Sequence, residues 1–135
     1  MARKSTDRET VKTYLDAAHD ALAGGQFNLD GSYYAIAVNR AYYAVFYAAN
    51  ALLATKGLAR GKHSGTISAF RQSFVKPGLI ESEYSDIYGS LMDDRHVSDY
   101  DMDTSIKPEQ AANDVESARK FVAHIEAYLR QGGWL

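Results

Sequence analysis

Between Tyr33 and Leu53 the chain carries a stretch whose apolar residues cover almost the whole surface of a helix: Tyr33, Tyr34, Ile36, Val38, Tyr42, Tyr43, Val45, Phe46, Tyr47, Leu52 and Leu53. Ser32 stands ahead of it as a helix cap, the pattern runs to about Lys56, and Gly57 is the stop. A helix with one apolar stripe packs on one neighbour. A helix apolar nearly all round sits at the centre of a bundle or is covered on a second side by a partner chain. With 135 residues, the chain has room for one core and one domain. Cover by a second copy is therefore the expectation, and the chain reads as a homodimer.

The flanking segments supply the other helices of an all-α, up-and-down antiparallel bundle with four long helices and one short one. Thr6 and Glu9 have capping-box spacing, followed by Val11, Tyr14, Leu15, Ala18 and Leu22 on one face. Gly24-Gly25 is expected to end this first helix, with Phe27 and Leu29 anchoring the loop from Gly25 to Gly31 onto the bundle. Leu58 to Gly65 reads as a basic loop, LARGKHSG, and a short helix follows over about Thr66 to Phe74. A fourth helix is expected from Ser82 to His96, giving way to an acidic segment, SDYDMD. Pro108 opens the last helix, whose apolar face is Val115, Ala118, Phe121, Val122, Ile125 and Leu129, up to Gly132-Gly133.

Composition removes several classes of function. No cysteine is present, which excludes disulfides, thiol catalysis, iron–sulfur clusters and cysteine zinc sites. The formal net charge of -2 gives no global basic field, so contact with nucleic acid needs a local patch. The opening MARKSTDRET lacks the apolar run of a signal peptide, and Ala41 to Ala54 is too short and too polar to cross a bilayer. A cytoplasmic protein without a membrane partner is expected.

The polar residues then divide into a few groups. Arg40 lies inside the most apolar helix, where a guanidinium is costly unless paired. It either meets a carboxylate, with Asp99 or Asp101 as the expected partner, or it edges a cleft and meets phosphate. Arg95 and His96 close the fourth helix and precede Asp99, Tyr100 and Asp101. They are either cations favoured at a helix C-terminus, or an always-charged donor, an imidazole and a phenol able to hold a phosphodiester and move a proton. Arg60, Lys62 and His63 put three potential cations into the loop before the third helix, as a solvated loop or as an anion site. His19 and His124 read as surface or edge histidines. The spacing of Asp99, Asp101 and Asp103 resembles the start of a calcium loop but lacks its glycine and terminal glutamate. No metal ligand set and no cofactor is expected, and the tyrosines of the second helix read as core and interface.

The string from Asn39-Arg40 through Tyr42-Tyr43 and Phe46-Tyr47 to Lys56-Gly57-Leu58 resembles the second helix of HEPN-domain proteins, and more narrowly the small bacterial and archaeal group called UPF0332. Lys62-His63-Ser64-Gly65 leading into Phe70 and Phe74, and Arg95 followed by Asp99-Tyr100-Asp101, agree with it in order along nearly the whole chain. The resemblance implies a helical bundle and a homodimer with a polar cleft between subunits, able to take nucleotide or RNA. It also implies a minimal nucleotidyltransferase as partner protein in a toxin–antitoxin-like pair.

Catalytic members of that family are metal-independent ribonucleases with an Arg followed, after four to six residues, by a His. Arg95 matches the Arg, but Asp99, Tyr100 and Asp101 occupy the positions in range and none is His. Candidate catalytic residues are therefore Arg95, His96 and Tyr100, the last also a conceivable acceptor of a transferred nucleotide. Candidate nucleotide or RNA contacts are Arg40, Arg60, Lys62, His63, Arg95, Asp99 and Tyr100. A binding partner is the first reading. An endoribonuclease using His63 or His96, and a purely structural helical dimer, are the alternatives.

Overall fold

The structure, a computed structural model, describes residues 5–59, 61–100 and 106–135, and only the backbone of residues 5, 6 and 100. Among these residues the helices are α1 (Ser5–Asp30), α2 (Tyr34–Ala54), α3 (His63–Phe70), α4 (Ser82–Tyr100) and α5 (Pro108–Gln131), with a π turn at Arg71–Val75. No strand occurs among them, so the expected all-α bundle of four long helices and one short one is what forms. The expected capping box rests on the side chain of Thr6, which lies outside the described residues.

α2 is the axis of the molecule, packed against α1, α3, α4 and α5. From Ala44 to Ala54 every residue except Tyr47 is buried. Its many alanines let the neighbouring helices approach closely. The large side chains that fill the space between α2, α4 and α5 are Tyr42, Leu52, Phe70, Tyr88, Leu91 and Phe121. The expected apolar face of α5 is buried in full, and Pro108 occupies its first turn after Lys107.

Five expectations are corrected. The first helix does not stop at Gly24-Gly25 but continues to Asp30. These glycines lie where α2 crosses: a Cβ on Gly25 would stand 3.6 Å from the Ala37 carbonyl oxygen, and one on Gly24 would stand 3.4 Å from the Arg40 side chain. Each glycine costs about 1 kcal/mol of helix propensity, and the helix continues through both in ordinary contact with α2. The chain reverses instead at Ser32, whose φ of 66° is left-handed, with the Tyr33 amide donating to the Asn28 carbonyl at 2.8 Å. Ser32 therefore terminates α1 rather than capping α2, which starts from Tyr33 without a side-chain cap. Phe27 is 77% exposed and anchors nothing, whereas Leu29 does pack on the core.

The third helix begins at His63, three residues before Thr66. The Lys62 carbonyl accepts both the Thr66 amide at 3.0 Å and the Thr66 hydroxyl at 3.1 Å. That extra turn of helix takes His63 out of the expected loop. The wider π turn then carries the chain on, with Phe70 and Phe74 both buried. The fourth helix, finally, does not end at His96 but reaches Tyr100. Asp99 and Tyr100 thus belong to a helix, one turn beyond Arg95, and not to an acidic loop.

Candidate functional site

Three elements meet beside the middle of α2. Tyr42 and Tyr43 come from α2, His63 from the first residue of α3, and Arg95 and Asp99 from the last turns of α4. His63 Nδ1 lies 2.6 Å from the Tyr42 hydroxyl. Its ring stacks on Phe46 at 4.5 Å between centroids and meets Tyr43 edge-on at 5.4 Å. Three aromatic contacts and one hydrogen bond hold the imidazole in a single orientation while leaving part of it exposed.

The Arg95 guanidinium sits 5.3 Å from the Tyr42 ring centroid and 5.7 Å from that of Tyr43. The Arg40 guanidinium sits 4.8 Å from the same Tyr43 ring. One phenol therefore supports two cations through its π-face, an interaction of about 0.5–2 kcal/mol each depending on desolvation. Arg95 Nε is 2.9 Å from Asp99 Oδ2 across one helical turn. The contact is an ion pair without hydrogen-bond alignment, so the buried Nε–H donates to no described group. Arg40 donates from Nε and Nη2 to Asn39 Oδ1 at 3.2 and 3.0 Å.

The expected pairing of Arg40 with Asp99 is thereby corrected: Asp99 is one turn from Arg95 on α4 and pairs with it, while Arg40 takes the neutral amide of Asn39. Its other expected partner, Asp101, lies outside the described residues. Among the described residues of the cluster, two guanidiniums stand against one carboxylate, which pairs with Arg95 alone.

The electrostatics follow. Tyr42 is fully buried, and burial pushes its hydroxyl up to about 12, against the opposing pull of Arg95. Tyr88, behind it, is raised further, chiefly by burial and then by the neighbouring Tyr42. Both phenols stay protonated at any ordinary pH. His63 is lowered below its usual value, first by burial and then by the Arg95 charge. At pH 7 it is neutral.

The sequence brought forward more residues than the fold brings together. Arg40, His63, Arg95 and Asp99 converge. Lys62 is exposed at the start of α3, and His96 is exposed on α4. Arg60 and the Tyr100 side chain lie outside the described residues. His19 pairs with Glu126 at 2.6 Å, and His124 pairs with Glu81 at 2.9 Å while stacking on Tyr84, as edge histidines do. Tyr42 was not among the expected site residues. A phenol on an all-apolar helix needs a polar partner, and that need was the signal for it. Among the described residues no three His, Asp or Glu side chains gather as a metal site, and no helix is long and apolar enough to cross a membrane.

Residues 11–128 match the family model described as the HEPN domain. The chain belongs to the HEPN family. Among its HEPN relatives, a UPF0332 protein of Thermotoga maritima is 38% identical over 69% of this chain and 70% of its own length. A Methanocaldococcus jannaschii protein named "Putative toxin MJ0605" is 35% identical over 92% of each chain. A second protein of that organism, named "Putative toxin MJ0142", is 28% identical over 90% of this chain and 83% of its own length. The HEPN match covers α1 from Val11 through α5 to Tyr128, and so contains every residue of the Tyr42–His63–Arg95 cluster.

Proposed function

We propose that this HEPN chain is a toxin-like protein that binds the phosphodiester of a nucleotide or RNA at Arg40, His63 and Arg95, acting as a dimer beside a minimal nucleotidyltransferase in the cytoplasm. The observation that carries the reading is the pair of guanidiniums on the Tyr43 ring, of which Arg95 is paired with the Asp99 carboxylate and Arg40 only with the neutral amide of Asn39. Like charges gathered at a partly open surface are stabilised by an anion, and a phosphate oxygen matches the planar donors of arginine. The names of the two Methanocaldococcus relatives support the toxin-like part of the reading.

The dimer rests on a second feature. Tyr33, Ile36, Arg40, Tyr43 and Tyr47 recur at alternating spacings of three and four along α2, none of them buried, with Tyr33 62% and Ile36 50% exposed. An exposed apolar stripe of this period suits a second copy of the same helix. Such packing places the two Arg40–Arg95 clusters along the seam between subunits. Asp99, on the last turn of α4 and paired with Arg95, belongs to the same cluster, and Tyr100 next to it in the chain is the proposed acceptor of a transferred nucleotide.

One observation favours a second reading, a metal-independent endoribonuclease. His63 stands beside Arg95 although it comes from another helix, and so supplies the imidazole that the positions after Arg95 lack. Fluorescence anisotropy of a labelled single-stranded RNA, in EDTA, tests the first reading: Arg95→Ala is expected to weaken binding at least tenfold. Cleavage of the same RNA, lost in His63→Gln, would establish the second. If neither binding nor cleavage occurs, the polar cluster is a structural ion-pair network and the chain a structural dimer.

A further inference from the structure

The Tyr42–His63 contact has a direction, and the direction decides what the imidazole offers to the cleft. Tyr42 is 0% exposed, so its hydroxyl proton has no access to solvent and must go to a buried acceptor. Two acceptors face it. One is His63 Nδ1 at 2.6 Å, close to the shortest distance at which a phenol donates. The other is the hydroxyl oxygen of Tyr88, which is itself buried and has no aligned hydrogen-bond partner. The imidazole lone pair is far the stronger base of the two. Among the described residues the other neighbours of the His63 ring are Phe46 and Tyr43, whose contacts are through their rings, and Arg95, which only donates.

We propose that Tyr42 is a positioning residue that donates its hydroxyl proton to His63 Nδ1 and thereby holds the neutral imidazole with its proton on Nε2. The Tyr88 hydroxyl, facing Tyr42 from α4, is free to donate to the Tyr42 oxygen and strengthens this order of donation. The proposal rests on the reading of the cluster as a phosphate site and specifies what that site contains. The cleft holds the Arg40 and Arg95 guanidiniums and His63 Nε2–H as donors, and no lone pair of the His63 imidazole. Such a donor set grips a phosphodiester without a metal. In a cleavage reaction the same Nε2–H would protonate a departing oxygen, whereas removal of a proton from an attacking hydroxyl would need another group or reversal of the Tyr42 hydrogen bond.

The tautomer is read directly from the imidazole nitrogens of the ¹⁵N-labelled full-length protein, free of ligand at pH 7.5, in a two-bond ¹H–¹⁵N spectrum. His63→Gln identifies the signals. The expected result is a protonated Nε2 with an unprotonated, hydrogen-bonded Nδ1 in the wild type, and a mixture of tautomers in Tyr42→Phe. That variant removes one oxygen and keeps the ring that packs against Phe46. A proton on Nδ1 in the wild type, or the same single tautomer in both proteins, would overturn the proposal. Because no ligand is present, this outcome is independent of whether RNA binds. A single-stranded RNA added afterwards tests the phosphate site, and failure there leaves the tautomer result standing.

Discussion

The guanidinium of Arg95 lies over the ring of Tyr42, 5.3 Å from its centroid, while the hydroxyl of that same ring meets His63 at 2.6 Å. One buried phenol therefore ties the cation of α4 to the imidazole of α3. A change at either end should be felt at the other.

Removing the cation should change the titration of His63. Burial is the larger cause of its lowered value and Arg95 the second. In Arg95→Ala the His63 midpoint is expected to rise towards the usual imidazole value without reaching it, because the burial remains. A histidine lowered on folding contributes stability above its unfolded midpoint and loses it as pH falls through the folded one. The variant should accordingly be less sensitive than the wild type to acidification below pH 6.5. Titration of the His63 ring signals by NMR checks the shift.

The opposite pH effect is expected from the joint between α4 and α5. Asp114 stands on the apolar face of α5, 6% exposed, beside Asp94 of α4, and its Oδ2 has no hydrogen-bond partner. Burial first, and then the Asp94 carboxyl, push it up to about 8. The groove at this joint, about 580 Å³, is also lined by Asp86, Lys107 and Glu109. Folded protein holds a proton on Asp114 between about pH 4 and 8 that the unfolded chain has released. Stability is therefore expected to fall as pH rises across that window, by at most about 1.4 kcal/mol per pH unit for one proton, and to level off above it. Asp114→Asn should flatten the slope and raise the thermal midpoint most at pH 8. Unfolding curves from pH 5 to 9 test this.

Thr66 holds the first turn of α3, and hence His63, against α2. Its hydroxyl donates to the Lys62 carbonyl and accepts from Asn50 Nδ2 at 3.4 Å. Thr66→Val keeps the shape and removes both bonds, at an expected cost of about 1–3 kcal/mol in chemical unfolding. The His63 ring should also lose its single orientation, seen as broadened ring signals.

Ile36 is 50% exposed on the α2 stripe, two turns before Tyr43. Placing a charge there, Ile36→Glu, should convert a dimer to a monomer by light scattering at micromolar concentration with helical content unchanged. A wild-type protein that is already monomeric under those conditions would remove the dimer from the account.

The helices were legible because their periodicity is strong: most of the apolar pattern from Val38 to Leu53 and the single stripe from Val115 to Leu129 found their places in the core, while Tyr33 and Ile36 stayed exposed. The boundaries were less so. Gly24-Gly25 has the composition of a helix stop, yet α1 runs through both, packed against Ala37 and Arg40 of α2, and on to Asp30. The site was half legible. Arg40, His63, Arg95 and Asp99 could be singled out by charge and spacing. Their pairing could not, because it depends on how far α4 runs and where α3 starts, and these were misplaced by four and three residues. Tyr42 and Asp114 were hidden by position, since each sits where an apolar residue fits the pattern equally well.

The most direct measurement is an NMR titration of the labelled protein with a short single-stranded RNA in EDTA, following the side-chain signals of Arg40, His63 and Arg95. The expected result is that these signals move together and saturate, and that Arg95→Ala abolishes the shifts at His63. Shifts confined to another surface, such as the groove between α1 and α5 that Lys12, His19 and Arg130 line, or no shifts at millimolar RNA, would contradict the assignment of this cluster as a phosphate site.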